Sequence, residues 1–241
     1  HEIETYNIWN ASYRLVQTLQ YWPEGTVFVS VVDPGVGSER KSVVAKTKDG
    51  KYIVTPNNGT LTHIHLNIGI EEIREIDETK NRLPYSNDSY TFHGRDIYAF
   101  TGARLASGVI TYEEVGPKLD LEEISLLKTG EIKVENDNTI RGTIDILDVR
   151  FGNLWTNIPK EDFEKLGIKY GDTVELTINH DSRKVYSSTV KYVKSFSEVN
   201  TGATLLYVNS LHKIGVAINQ GSFSKAHQVD SGYQWKVEFK K

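Results

Sequence analysis

Cysteine and methionine are both absent from this 241-residue chain. Without cysteine there is no disulfide framework, no thiolate nucleophile and no cysteine-ligated zinc. That fits a cytoplasmic protein and leaves an exported or lipid-anchored form open. A sequence that lacks methionine and opens on His1 is expected to be part of a longer translation product, with any signal peptide upstream. Long apolar runs are missing too: nothing approaches the ~20 residues of a membrane-spanning helix, so a soluble protein is expected. No charge of one sign dominates, since 28 Lys and Arg face 32 Asp and Glu for a net charge of -4. Phosphate binding needs a concentrated basic surface, so a nucleic-acid-coating protein is excluded. No internal repeat or low-complexity tract is visible.

What is present divides into two patterns. Asn7 is placed to cap a helix running to about Tyr21, with Ile8, Ala11, Leu15 and Leu19 near one face. Thr26 to Val32 reads as a strand apolar on both sides, as in a sheet covered on both faces. Asp49-Gly50, between Ser42–Lys46 and Lys51–Val54, is a hairpin signal. A helical segment follows around Leu61 to Leu66, and another over Ile97 to Ala106 with Gly108 at its C′ position. This alternation predicts an α/β N-terminal domain, Rossmann-like with helices on both faces, over residues 1–122. After about Pro117, Thr139–Val149, Asp172–Ile178, Lys184–Val193, Thr204–Val208 and Tyr233–Phe239 read as strands. One short helix interrupts them, with Pro159 near its first turn and Gly167 after it. Residues 123–241 are therefore expected to form a mostly β, barrel-like C-terminal domain.

The residues that carry chemistry sit in loops. Val31-Val-Asp33-Pro-Gly-Val-Gly-Ser-Glu-Arg40 places a carboxylate, a Gly/Pro turn and a guanidinium at the end of the first strand, where open α/β sheets bind ligands. Thr91-Phe92-His93-Gly94-Arg95-Asp96 adds a histidine at the start of a helix, whose N–H groups favour developing negative charge. Singly, each has an ordinary reading as a turn aspartate, a surface cation and a structural histidine. The combination of acid, base and cation is what points to a site. His63 and His65, two apart, read as a helix surface rather than as metal ligands.

With Pro56-Asn57-Asn58-Gly59 and Phe151-Gly-Asn153-Leu-Trp155-Thr-Asn157 following in order, the chain resembles the S-adenosyl-L-methionine (SAM) hydroxide adenosyltransferases. These SAM hydrolases form adenosine and are relatives of the fluorinases and chlorinases. The resemblance spans essentially the whole chain. It implies a trimer in which SAM lies between the N-terminal domain of one subunit and the C-terminal domain of the next. It also implies attack of water or hydroxide on the ribose C5′, which expels methionine and leaves adenosine, with no metal or other cofactor. By resemblance the catalytic triad falls on Asp33, Arg40 and His93. The halogenases lack this aspartate and histidine, and the fluorinase carries a halide-binding serine where Gly94 stands here.

The resemblance further implies that Asp148 meets the methionine ammonium, Phe151 packs on the ligand and Asn153 hydrogen-bonds the adenine. Ser210 and Asn219 match a second ligand-binding strand, and Tyr6 and Phe92 match the pocket lining. Leu211 stands in place of a fluorinase arginine. Trp155 is expected to be ordinary core packing, and Arg95 and Asp96 to buttress the His93 loop. Family members carry an N-terminal Thr-Asp-Phe-Gly segment whose aspartate binds the ribose. This sequence begins at what resembles the end of a later Thr-His-Glu-Ile segment, so the first strand and that aspartate are expected to be missing. A non-catalytic SAM- or adenosine-binding protein is the competing reading, and a SAM-dependent halogenase the third.

Overall fold

The computed structural model describes residues 3–86, 88 and 90–241. His1 and Glu2, which resemble the end of the Thr-His-Glu-Ile segment, lie outside the described residues. The chain divides into two compact units, His1–Leu127 and Lys128–Lys241.

The first unit is an α/β layer. Asn7 caps α1 (Ile8–Leu19), its side chain accepting from the Asn10 N–H at 2.9 Å. β1 (Val27–Val29), β2 (Ser42–Thr47), β3 (Tyr52–Pro56), β4 (Ile70–Glu75) and β5 (Lys118–Leu119) form a sheet in the order β1-β3-β2-β4-β5. Side chains alternate across it. Val43, Ala45 and Ile53 pack with Leu15 and Leu19 of α1 and Ile64 of α2 (Thr62–Asn67). Val44 and Val54 pack with Ile97 and Tyr98 of a π-helical turn, Gly94–Ala99, that runs on into α3 (Phe100–Ala106). Gly108, at φ +71°, lies beyond the end of α3.

Two expectations need adjusting. Among the described residues only β1–β3 is a parallel pair; every other pairing in this sheet is antiparallel. The long first strand contracts to three residues, with Val29 44% and Val31 40% exposed. Apolar sequence alone does not extend a strand. Among the described residues β1 pairs with β3 alone, so residues past Val29 lack the second neighbour that would hold them in a ladder.

The second unit is a closed barrel. β6 (Lys133–Glu135), β7 (Thr139–Asp148) and β8 (Asn153–Pro159) lead into α4 (Lys160–Lys165). β9 (Thr173–His180), β10 (Arg183–Tyr192), β11 (Thr204–Val208) and β12 (Lys213–Ile218) follow, then α5 (Phe223–His227) and β13 (Gly232–Lys240). Seven strands run β13-β9-β10-β11-β12-β8-β7, and pairing of β13 with β7 closes the ring. Closure gives every strand in it a neighbour on both sides, β10 meeting β11 at Lys191 and Tyr192. β6 adds outside the ring on β7. Ile140, Ile144, Leu154, Ile158, Leu176, Leu206 and Phe239 fill the core. Among the described residues no helix is long and apolar enough to cross a membrane.

Candidate functional site

In the first unit, Asp33, Arg40 and His93 meet in one buried cluster. Arg40 Nε donates to Asp33 Oδ1 at 2.8 Å, and Nη2 closes a bidentate fork on Asp33 Oδ2. Both side chains are nearly buried, Arg40 11% and Asp33 6% exposed. A planar guanidinium matches a carboxylate in this way and a lysine cannot. Arg40 Nη2 also lies 3.3 Å from His93 Nδ1. Because arginine only donates, Nδ1 is the acceptor, which places the imidazole proton on Nε2. That Nε2 is buried and has no partner among the described residues.

The Pro56–Gly59 loop explains how the Asp33–Arg40 segment is held. Asn58 Nδ2 donates to the Val32 carbonyl at 2.9 Å, just before Asp33. The Asn57 N–H donates to the Lys41 carbonyl at 2.9 Å, just after Arg40. Both ends of the segment are thus pinned by neighbouring asparagines. His93 stands at the entry to the π-helical turn, a rare geometry often found at functional sites. Phe92 supplies the carbonyl that receives the Arg95 and Asp96 N–H groups.

Electrostatically the cluster favours a neutral histidine. Burial pushes the His93 pKa below its usual 6.5; Glu78 and Asp33 work against that shift, while Arg40 and Arg82 work with it. Asp96 is fully buried and forks onto Arg95 at 2.6 and 3.1 Å, which pulls its carboxyl below the usual range. Tyr6 and Phe92 are exposed and line neither of the two cavities described below. The Phe92 ring lies under the Arg95 guanidinium, 5.1 Å from its centroid.

In the second unit, Asp148, Phe151, Asn153, Ser210 and Asn219 gather around one cavity of about 730 Å³. They reach it because the cavity lies on the outside of the barrel. Asn153 and Trp155 alternate with the core residue Leu154, and Tyr207 with Leu206. Asp148 and Asn153 face each other across the β7–β8 turn. Within that turn Gly152 has φ +69°, and a Cβ there would sit 2.8 Å from Ser222 Cβ, so only glycine fits. Gly215 plays a similar part: it leaves room for the Tyr207 ring, whose Cε1 would lie 2.6 Å from a Cβ. Tyr207 hydroxyl accepts from Trp155 Nε1 at 2.9 Å. Burial raises the Tyr207 pKa, opposed by hydrogen bonds from Trp155 and Asn153. The wall is therefore aromatic, with a carboxylate and an amide set into it. Among the described residues no three His, Asp or Glu side chains converge to hold a metal ion.

Residues 1–116 match the N-terminal domain of the SAM hydroxide adenosyltransferases and residues 142–236 the C-terminal domain. An (R)-S-adenosyl-L-methionine hydrolase of Methanocaldococcus jannaschii is 36% identical over 95% of this chain and 78% of its own length. The chain belongs to the SAM hydroxide adenosyltransferase family. A fluorinase of Actinopolyspora mzabensis is 26% identical over 98% of this chain and 85% of its own. The crystal structure of an uncharacterized conserved protein from Thermotoga maritima superposes with a TM-score of 0.87 at 36% identity, covering all of this chain and 87% of that one.

For this family member, several sequence expectations shift. Trp155 is a cavity wall residue bonded to Tyr207 rather than plain core. His63 is not on a helix surface. It is buried, its Nδ1 2.9 Å from Ser12 Oγ and its ring edge-on to Trp9 and Tyr13. Sequence reasoning missed Tyr207 and Phe196, which line the cavity, and Ser42, Glu78 and Tyr98 beside the first cluster. The alternation of β11 was the one available signal for Tyr207.

Proposed function

We propose that the chain hydrolyses S-adenosyl-L-methionine to adenosine and L-methionine. The observation that carries this reading is the buried Asp33–Arg40–His93 cluster. The names of the hydrolase relatives support it. The new bond joins the water oxygen to C5′, the C5′–S bond breaks, and its electron pair stays on sulfur. Methionine leaves as a neutral thioether, so no acid or Lewis acid is needed at the leaving atom. The obstacle is the nucleophile, because free water is a very weak acid and gives up its proton reluctantly.

The roles follow from the hydrogen bonds. Asp33 spends two of its four lone-pair positions on Arg40, and one that remains accepts the proton of water. His93 offers its Nε2–H to the same oxygen and holds it in line with the C5′–S bond. Arg40 stabilises the hydroxide as it forms. General-base assistance is worth roughly 10²–10⁴-fold, and fixed in-line geometry can add more. Asn153 reads the adenine edge, Asp148 pairs with the methionine ammonium, Phe151 covers the ligand, and Ser210 and Asn219 complete the hydrogen bonding. Tyr6 and Phe92 close the pocket.

Each unit carries half of this chemistry. A homotrimer that brings the first unit of one subunit to the second unit of the next supplies both halves at once. Neither metal nor other cofactor is required, so EDTA-treated protein keeps its rate. The test follows adenosine by chromatography after incubation with SAM, against an Asp33→Ala variant. Adenosine no faster than in that variant, together with tight SAM binding in calorimetry, would establish a binding protein instead. Light scattering on the same sample reads the trimer.

A further inference from the structure

The Arg40 guanidinium has a partner that the reaction above does not use. Its Nη1 donates to Ser42 Oγ at 3.0 Å. Ser42 Oγ lies 3.1 Å from the Tyr98 hydroxyl and 3.3 Å from Glu78 Oε1. A hydroxyl accepts twice and donates once. Arg40 can only donate. Burial raises the Tyr98 pKa far above its ordinary value, so that phenol stays protonated and donates too. Ser42's own proton then goes to the Glu78 carboxylate, and every valence of its oxygen is used. Glu78 in turn receives Arg82 Nη2 at 2.8 Å. Ser42 and Tyr98 are buried, whereas Glu78 is 38% exposed and lines a polar cavity of about 630 Å³ with Arg40 and Ser42.

We propose that Ser42 and Glu78 are positioning residues for the hydrolytic cluster, holding the Arg40 guanidinium in the one plane that reaches Asp33 and His93 together. This rests on the reading of Asp33, Arg40 and His93 as the reaction site. A guanidinium forked onto Asp33 by Nε and Nη2 can still tilt about the fork. The Nη1 bond to a hydroxyl anchored on Glu78 removes that freedom and fixes the line from Nη2 to His93 Nδ1. Glu78 also sets the local charge. The groups facing His93 are Asp33, Glu78 and Asp96 on the anionic side and Arg40 and Arg82 on the cationic side. Glu78 is the anion that acts most strongly on His93.

Three variants test this: Ser42→Ala, Glu78→Gln and Glu78→Asp. Glutamine keeps an oxygen for Ser42 and removes the charge. In Ser42→Ala and Glu78→Gln, kcat falls ~10-fold while KM for SAM stays within about twofold, as loss of one charge-assisted contact predicts. Losing the Glu78 anion lowers the His93 pKa, so the acid limb of the kcat profile moves to lower pH in Glu78→Gln and returns in Glu78→Asp. A merely structural defect lowers kcat without moving that limb in this direction. Thermal melting checks that each variant is folded. The His93 imidazole is also titrated directly by NMR in the wild type and in Glu78→Gln, a readout that needs no turnover. A His93 midpoint unchanged by Glu78→Gln, or an unchanged kcat in both variants, overturns the proposal. A wild type that makes no adenosine overturns the hydrolase reading, and the NMR titration still decides the positioning role.

Discussion

Replacing Arg40 with lysine keeps the charge and removes the fork, which separates the two things this residue supplies. The guanidinium makes four contacts from one plane: two to Asp33, one to His93 and one to Ser42. An ammonium on a shorter stem can keep one Asp33 contact and leaves the other three groups to find new partners. Asp33 remains neutralised, so the full penalty of an unpaired buried charge, about 3–5 kcal/mol, does not apply. Hydrogen bonds to charged groups are worth about 1.5–3 kcal/mol each. Loss of the second Asp33 bond and the His93 contact from the transition state therefore corresponds to roughly 10²–10⁴-fold in kcat, at 1.36 kcal/mol per decade. KM is expected to hold, because Asp148, Phe151, Asn153, Ser210 and Asn219, proposed to grip SAM, lie in the other unit. The assay is adenosine formation over a SAM titration, with a thermal melt of each protein beside it. Arg40→Lys turning over within threefold of wild type would refute the argument that planar geometry, rather than positive charge, is what the cluster needs.

Other outcomes follow from the same contacts. Activity should fall as pH drops through the His93 pKa, with a midpoint below 6.5, because the imidazolium places a second proton against Arg40; kcat/KM profiles read it. The same group costs stability in acid. Its folded pKa is depressed, so stability is complete above about 6.5 and declines as pH falls towards the folded value, which urea titrations at several pH values should show. Lys213→Met removes the cation 3.1 Å from buried Asp145, whose carboxyl burial already pushes up. The barrel should lose up to about 3–5 kcal/mol near neutrality and less in acid, where protonation of the carboxyl relieves the buried charge. Gly152→Ala forces a side chain into positive φ and against Ser222, so a loss of about 1–3 kcal/mol and a raised KM are expected from melting curves and kinetics.

What the sequence made legible was local. The Asn7 cap, the Asp49-Gly50 hairpin and the glycine after α3 each rest on a few adjacent residues, and each stands where it was read. β11 was legible from its apolar run; β8 and β12 were not read as strands. β8 carries Asn, Trp and Thr on positions that face the cavity or the next strand, so it reads as a motif rather than as a ladder. The barrel-like expectation for this half stands, but which strands close the ring was beyond local reading, since β7 and β13 lie near opposite ends of the unit. The site divides in the same way. Asp33, Arg40 and His93 stood out because their surroundings resemble a family. Ser42 and Glu78 are common residues 36 positions apart, and only the fold shows that one hydroxyl joins them to Arg40.

The cluster also bears on why the same scaffold can serve water in one branch and halide in another. A halide arrives already charged, and the cost of using it is stripping its hydration shell. A fixed carboxylate beside its path opposes that step. Water arrives neutral, and the cost of using it is removing a proton, for which a carboxylate is the remedy. In the role proposed for it, Asp33 would act with opposite sign on the two nucleophiles. Gly94 does not bar the halide reading by size, because a Cβ there would meet only Val31 Cγ1, at an ordinary 3.5 Å. The discrimination lies instead in charge and hydrogen bonding. Asp33 is forked onto Arg40 through both of its oxygens, and His93 carries its proton on the nitrogen that has no partner among the described residues. Both features suit an oxygen that must lose a proton and then be held, and neither suits an anion that needs only to be dried.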